Sequence, residues 1–362
     1  MAVRATIGSL AELRAKGCLA GKVGSQPVCV FWHEGRAYAL DDRCPHMGFP
    51  LHRGTVENGL VTCHWHHARF DLSSGGTLNL FADDVRAYPV EVDGDRVVVV
   101  VDGDGEAGAK WLDHHRRRLG EGLEQGLTLV TAKAVLALLD AGDDVGDIVR
   151  QGVDFGTAYR AAGWGAGLTV LVAMANVVPD LDPADRPLAL VHGLAFVSRD
   201  TRGRPPSFPL RPLGSAGVPA EWLVAWYRRF IDTRNSDGAE RTLLTALASG
   251  LELGEVAAMM TAAATDHVFL DGGHTIDFTN KAFEAVALLG EASAAGVLPT
   301  LVQGTARAGR SEEEGRWRHP HDLVGLMAAA SDRLDALTAE GADNRGTWDD
   351  VGGLAWAVLG DD

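Results

Sequence analysis

Basic residues are in short supply: 33 Lys and Arg stand against 49 Asp and Glu, a formal net charge of −16. Such a charge repels nucleic-acid phosphates and anionic lipid, and no basic block extends beyond Arg116-Arg117-Arg118. Nucleic acid is therefore not an expected partner. Long apolar runs are also missing. The N-terminal segment carries Glu12 and Lys16 where a secretory signal needs an uninterrupted apolar stretch. Residues 161–179 are free of charge, but Gly163, Gly165, Gly167 and Asn176 dilute them. A buried helix is expected there rather than a membrane span, and the chain reads as cytoplasmic. No Gly-rich dinucleotide fingerprint and no phosphate-binding loop occurs, which argues against a nicotinamide or flavin reductase within this chain. Cysteine is limited to four residues. Cys18 and Cys29 are expected as reduced, buried thiols, because Cys44 and Cys63 have a better assignment than a disulfide.

What is present is enough for two or three domains: 362 residues, 46% apolar and 23% charged, close to a soluble globular average. Up to about Val101 the chain reads as short β segments (PVCVFW, RAYAL, GLVTC, YPVEV, RVVVVV) between Gly, Asp, Asn and Pro turns. Beyond residue 110 the spacing turns helical, in LTLVTAKAVLALLDAG, PAEWLVAWYRRFIDTR, GEVAAMMTAAATDHVFL and TNKAFEAVALLGEA. The expected fold is a small all-β domain over residues 1–101, a linker over 102–112 and a larger all-α domain over 113–362.

The segment with the most chemistry is CPHMGFPLHRGTVENGLVTCHWHHARFDL. It holds Cys44-x-His46, sixteen intervening residues, then Cys63-x2-His66. A [2Fe-2S] cluster with two thiolates on one iron and two imidazoles on the other needs one Cys and one His from each of two loops. A Cys2His2 zinc site is the alternative. Zinc motifs, however, usually pair Cys with Cys and His with His at their close spacings.

Residues 1–101 resemble Rieske ferredoxins and the Rieske domains of ring-hydroxylating oxygenases. The resemblance rests on CPH followed by Gly48 and Leu51, on Gly54 and Val56, and on CHWHHARFDLSSG with Gly75 and Gly76. It implies Cys44 and Cys63 on the inner iron and His46 and His66 on the outer, solvent-facing one. His52, His64 and His67 fall outside the ligand positions, and His67 stands where the family commonly has Gly. High-potential Rieske proteins carry an extra cysteine in each loop and Ser and Tyr hydroxyls near the sulfurs. Here Phe49, Pro50 and Trp65 replace the cysteines, and Ala68 and Phe70 replace the hydroxyls. Hydrogen bonds to sulfur stabilise the reduced cluster, so a low potential is expected.

The oxygenase catalytic domain is not implied, because no two histidines after residue 110 are separated by four residues. The helical half does offer other candidates. On a continuous helix His267, Asp271 and His274 share one face, and two imidazoles with one carboxylate are the ligand set of many non-haem iron sites. With His192, they are the expected second metal site, and His319 and His321 are further candidates. Two alternatives stay open: Asp271-Gly272-Gly273 ending one helix and capping the next, and His192 as a core histidine. Ser311 with Glu314 suggests a capping box at a helix start. Arg228, Arg229, Glu240 and Arg241 suggest ion pairs on helices, and WLDHHRRRL suggests a solvated helix face.

The expected function is that of an oxidoreductase, oxygenase-like in its use of electrons. Its low-potential cluster would feed a non-haem iron in the helical domain, supplied by a reductase or ferredoxin and acting on a small-molecule substrate. Tethering raises the effective concentration of donor at acceptor. The alternatives are an electron carrier that docks a separate oxygenase or reductase, and a redox sensor.

Overall fold

The computed structural model describes residues 3–101, 107–214, 217–268 and 270–343. An all-β region comes first. Its strands are β1 (Val3–Ser9), β2 (Cys18–Val23), β3 (Gln26–His33), β4 (Arg36–Asp41), β5 (Thr55–Glu57), β6 (Leu60–Thr62), β7 (Arg69–Asp71), β8 (Ala87–Tyr88), β9 (Val90–Asp93) and β10 (Arg96–Val101). They form three antiparallel sheets of order β1-β10-β9, β2-β3-β4-β8 and β5-β6-β7. One short helix, α1 (Leu10–Lys16), interrupts them. Ser9 caps it by accepting from Glu12 N–H, and Gly17 ends it in the left-handed region at φ 75°.

Strand β3 reads as a continuous apolar run because both of its faces are buried. Val28 and Val30 join Leu13, Val97 and Val99 in one core, while Cys29 and Phe31 join Leu40, Leu51, Val61, Phe70, Cys44 and Cys63 in another. The second core is the floor of the two Cys/His loops.

The helical region that follows contains α2 (Ala107–Gln125), α3 (Thr128–Asp140), α4 (Val145–Ala158), α5 (Ala166–Val177), α6 (Arg186–Thr201), α7 (Ala220–Asp232), α8 (Ser236–Ala248), α9 (Leu253–Thr265), α10 (His274–Leu289), α11 (Ala294–Val297), α12 (Val302–Arg307), α13 (Leu323–Asp332) and α14 (Leu334–Asp343). The charge-free stretch becomes α5, with Leu168, Leu171 and Val172 buried. Gly193 lets α6 approach it: a Cβ there would lie 2.7 Å from the Leu171 Cα. No helix among the described residues is long and apolar enough to cross a membrane.

Contacts divide the chain into two compact units at places the sequence pattern does not mark. The first takes the described residues up to Pro209 with Asn280–Leu301, and the second takes Leu210–Thr279 with those from Val302. The β region and α2 to α6 thus belong to one unit. Residues 102–106 of the expected linker lie outside the described residues, and from 107 onward that segment is already helix α2. Ser311 starts only a three-residue turn, Ser311–Glu313, and makes no side-chain cap.

Candidate metal centre

The two Cys/His loops are closed in the same way. Cys44 N–H donates to Phe49 O and Cys63 N–H to Ala68 O, each at 2.8 Å. Gly48 N–H returns to Cys44 O at 2.7 Å and His67 N–H to Cys63 O at 3.0 Å. The fourth residue after each cysteine is left-handed, Gly48 at φ 81° and His67 at φ 60°. His67 therefore occupies a conformation that favours glycine, at a cost of roughly 1 kcal/mol or more for an L-residue. Strands β4, β6 and β7 anchor the loops and bring them face to face.

The result is a graded site. Cys44 and Cys63 are 2% and 1% exposed, His46 is half-buried and His66 is exposed. The His46 and His66 rings stand edge to face with centroids 4.6 Å apart. Burial, with the facing Cys63 thiol adding to it, pushes the Cys44 thiol up to about 11, against the backbone N–H of His46, which draws it down. Burial also holds the His46 imidazole below its ordinary value, with His66 and Lys133 adding to the effect, and so favours the neutral, ligating form. His46 Nδ1 is buried with no hydrogen-bond partner. Two desolvated thiols, two adjacent imidazoles and an orphaned ring nitrogen fit a [2Fe-2S] cluster with thiolates inside and imidazoles at the rim.

The neighbouring histidines have other partners. His52 Nδ1 lies 2.7 Å from Asp42 Oδ2, and His64 Nε2 lies 2.7 Å from Thr55 Oγ1. Ala68 and Phe70 are fully buried beneath the loops, so neither position offers a hydroxyl. Burial keeps the Cys18 and Cys29 thiols protonated, Cys18 at about 12.

Helices α2 and α3 contribute residues that sequence reasoning missed. Lys133 Nζ on α3 donates to the carbonyls of Pro45 and His46, 88 and 87 residues earlier in the chain. Burial lowers the Lys133 ammonium below its ordinary range, while Cys44 and Asp83 pull it upward. Arg118 on α2 donates to Leu80 O and Ala82 O at 3.0 and 2.7 Å. Between those two residues Phe81 packs its ring on His46, with centroids 5.0 Å apart. WLDHHRRRL is thus not a solvated face: His115 and Arg118 are 9% and 7% exposed. Lys133 carried no signal in the sequence, whereas the density of His and Arg in that helix did.

The expected helix through His267, Asp271 and His274 is interrupted. Helix α9 ends at Thr265, and Asp271, Gly272 and Gly273 take φ of 49°, 62° and 96° before α10 begins. His267 Nδ1 pairs with Glu312 Oε1 at 2.6 Å. Asp271 and His274 are exposed, and His274 stacks on Phe278. His192 is exposed on α6 beside Phe196, so it is not a core histidine; His319 and His321 are exposed. Of the expected ion pairs, Arg228 clasps Asp266 at 2.6 and 2.8 Å.

A family profile described as the Rieske [2Fe-2S] domain matches residues 4–89. The ferredoxin component of the alkene monooxygenase system of Xanthobacter autotrophicus is 33% identical over 21% of this chain and 64% of its own length. The chain thus spans just under two thirds of that relative. The ferredoxin component of the naphthalene 1,2-dioxygenase/salicylate 5-hydroxylase systems of Ralstonia sp is 30% identical over 22% of this chain and 76% of its own length. Among solved structures, the ferredoxin of carbazole 1,9a-dioxygenase from Nocardioides aromaticivorans is 28% identical, covering 27% of this chain and 96% of its own, with a TM-score of 0.26.

Proposed function

We propose, for a chain that belongs to the Rieske [2Fe-2S] domain family through residues 4–89, that it carries single electrons to an oxygen-using partner or site. The observation that carries this reading is the pairing of buried Cys44 and Cys63 with the rim imidazoles of His46 and His66. A cluster bound there supplies reversible one-electron transfer. Cys44 and Cys63 would hold the cluster from the buried side, away from water. His46 and His66 would hold it from the exposed rim, where a partner can approach. Met47 and Trp65, 54% and 56% exposed, flank the two imidazoles and offer an apolar docking rim. By analogy with the names of its relatives, the partners are a reductase or ferredoxin as donor and an oxygenase as acceptor.

The finer reading makes the chain an oxidoreductase whose acceptor is a non-haem metal in its own helical region, acting on a small-molecule substrate in the cytoplasm. What supports it is the tethering of helices to the loops within one chain: Lys133 holds the first loop and Arg118 the stretch over His46. His267, Asp271, His274 and His192 remain the sequence-based ligands of that reading. The test is anaerobic metal analysis with a redox titration of the full chain. Two irons and one reversible electron per chain support the carrier, and a further iron lost in His267→Ala/His274→Ala supports the internal acceptor. A protein that takes up no electron reversibly sinks both.

A further inference from the structure

A second group of metal-ligating side chains meets where α2 packs on the β region, apart from the Cys/His loops. Asp83 Oδ1 lies 2.6 Å from His114 Nε2, and Asp83 Oδ2 lies 3.7 Å from His115 Nδ1. One ligand atom from each residue lies within 4.8 Å of the others, and this is the one such three-residue group among the described residues. The two imidazoles stand edge to face, 5.0 Å apart at 81°, and Trp111 braces His115 from a centroid distance of 4.1 Å.

An ion pair alone does not account for the arrangement. His115 is nine-tenths buried and its Nδ1 has no hydrogen-bond partner, because 3.7 Å is too long for one. A buried polar nitrogen left in that state costs about 1–3 kcal/mol. Burial holds His115 below its ordinary value, which keeps the imidazole neutral and able to ligate. Burial works to raise the Asp83 carboxyl, but the His114 hydrogen bond and Arg118 hold it below the ordinary range, so it stays charged. Three cationic groups oppose a metal ion here: Arg118, with Nε 3.4 Å from Asp83 Oδ1, Lys133, which also feels Asp83, and Arg117 on the wall of the adjoining cavity. The Arg118 guanidinium is committed elsewhere, to the carbonyls of Leu80 and Ala82 and to Glu121. The Asp83 hydrogen bond raises the His114 imidazole, with Asp84 adding to it, so an ion bound there would displace a proton from His114. A cavity of about 300 Å³ reaches His114, with Asp84 and Glu121 as well as Arg117 and Arg118 on its wall, and gives an entry path.

We propose that Asp83, His114 and His115 bind one divalent first-row transition-metal ion through a carboxylate and two imidazoles. Bonds of about 2.0–2.2 Å to nitrogen and oxygen would replace the Asp83–His114 hydrogen bond, easing that pair slightly apart, while drawing His115 Nδ1 inward and giving it its missing partner. Three protein ligands leave further positions open on the cavity side. The site shares no residue with the Cys/His loops, and the assignment stands whether or not those loops hold a cluster.

The test uses the full chain with its iron content measured, washed with chelator and titrated anaerobically with Co2+. The expected result is one equivalent of tightly bound Co2+ with visible ligand-field bands, displaced by Zn2+, and lost in Asp83→Asn and in His115→Gln. X-ray absorption at the cobalt edge of the unaltered chain needs no variant to fold, and should give a nitrogen and oxygen shell with imidazole scattering. Failure to take up Co2+ would overturn the proposal. So would binding that survives both variants. A sulfur shell would overturn it too, because it would place the ion on Cys44 and Cys63 and mark a failure of the cluster reading instead.

Discussion

Two stretches of this chain turn on left-handed residues with opposite results for the side chains they carry. Between residues 44 and 67, one left-handed residue closes each loop back on its own cysteine, and flanking strands hold the two loops opposite each other. Two thiols and two imidazoles converge. Between residues 265 and 274, three successive left-handed residues carry the chain from α9 to α10 with no strand on either side. There His267 turns to Glu312, while Asp271 and His274 stay in solvent. Ligands meet when a loop is pinned at both ends, whereas the same residue types at helical spacing do not meet once the helix stops.

The comparison is broken or sharpened most strongly at glycines. Gly75 lies at φ 77° just beyond β7, and a Cβ there would overlap Val85 O, whereas Gly272 at φ 62° has open space around it. Gly75→Ala should therefore cost about 3 kcal/mol or more, from left-handed strain plus overpacking. Gly272→Ala should cost only about 1 kcal/mol. Thermal unfolding of the two variants checks the difference, and equal losses would remove the contrast between the packed turn after β7 and the open junction of α9 and α10.

The next effect concerns the floor of the loops. With Ala68 and Phe70 unable to donate, the midpoint potential should lie toward the lower end of the roughly −150 to +300 mV Rieske range. Ala68→Ser with Phe70→Tyr should raise it by on the order of 100 mV, as two hydrogen bonds to a charged group would. A wild-type value near the top of the range would contradict the account.

Lys133 supplies a smaller shift. Its ammonium on the carbonyls of Pro45 and His46 favours the more negative, reduced state. Lys133→Met should lower the midpoint by on the order of tens of millivolts, with little change in iron content. An unchanged potential would mean that α3 packs on the loop without influencing it.

The smallest effect is at Asp71, whose carboxyl is held down to about 2 by Ser73 and Ser74 hydroxyls at 2.6 and 2.5 Å. A folded value below the unfolded one, about 3.9, means stability that is present above that value and lost as pH falls toward 2. Asp71→Asn should cost less than about 1 kcal/mol at neutral pH, given solvent screening, and nothing near pH 2. Denaturant titrations of both proteins at the two pH values measure the difference.

The β region was largely legible because its signals are local. Apolar runs marked the strands, and the Cys/His loops close within five residues of each cysteine, so spacing alone put the right residues side by side. His67 stands in a glycine's place, and its positive φ is the reason that place favours glycine. In the helical region helices were legible, but what their polar residues do was not. WLDHHRRRL has the composition of a solvated face, yet the partners that let Arg118 be buried are carbonyls 36 and 38 residues earlier. Glu312, between the Ser311 and Glu314 of the expected capping box, has its partner His267 45 residues away. Periodicity carries no information about such distant pairings.

The central claim is mixed Cys/His ligation of a [2Fe-2S] cluster by Cys44, His46, Cys63 and His66. Electron paramagnetic resonance of anaerobically purified, dithionite-reduced protein, with iron and zinc quantified on the same sample, tests it most directly. The account predicts a low-average-g signal with two cluster irons per chain, abolished in Cys63→Ser and in His66→Ala. A signal typical of four-cysteine ligation, or an iron-free chain holding one zinc, would contradict it.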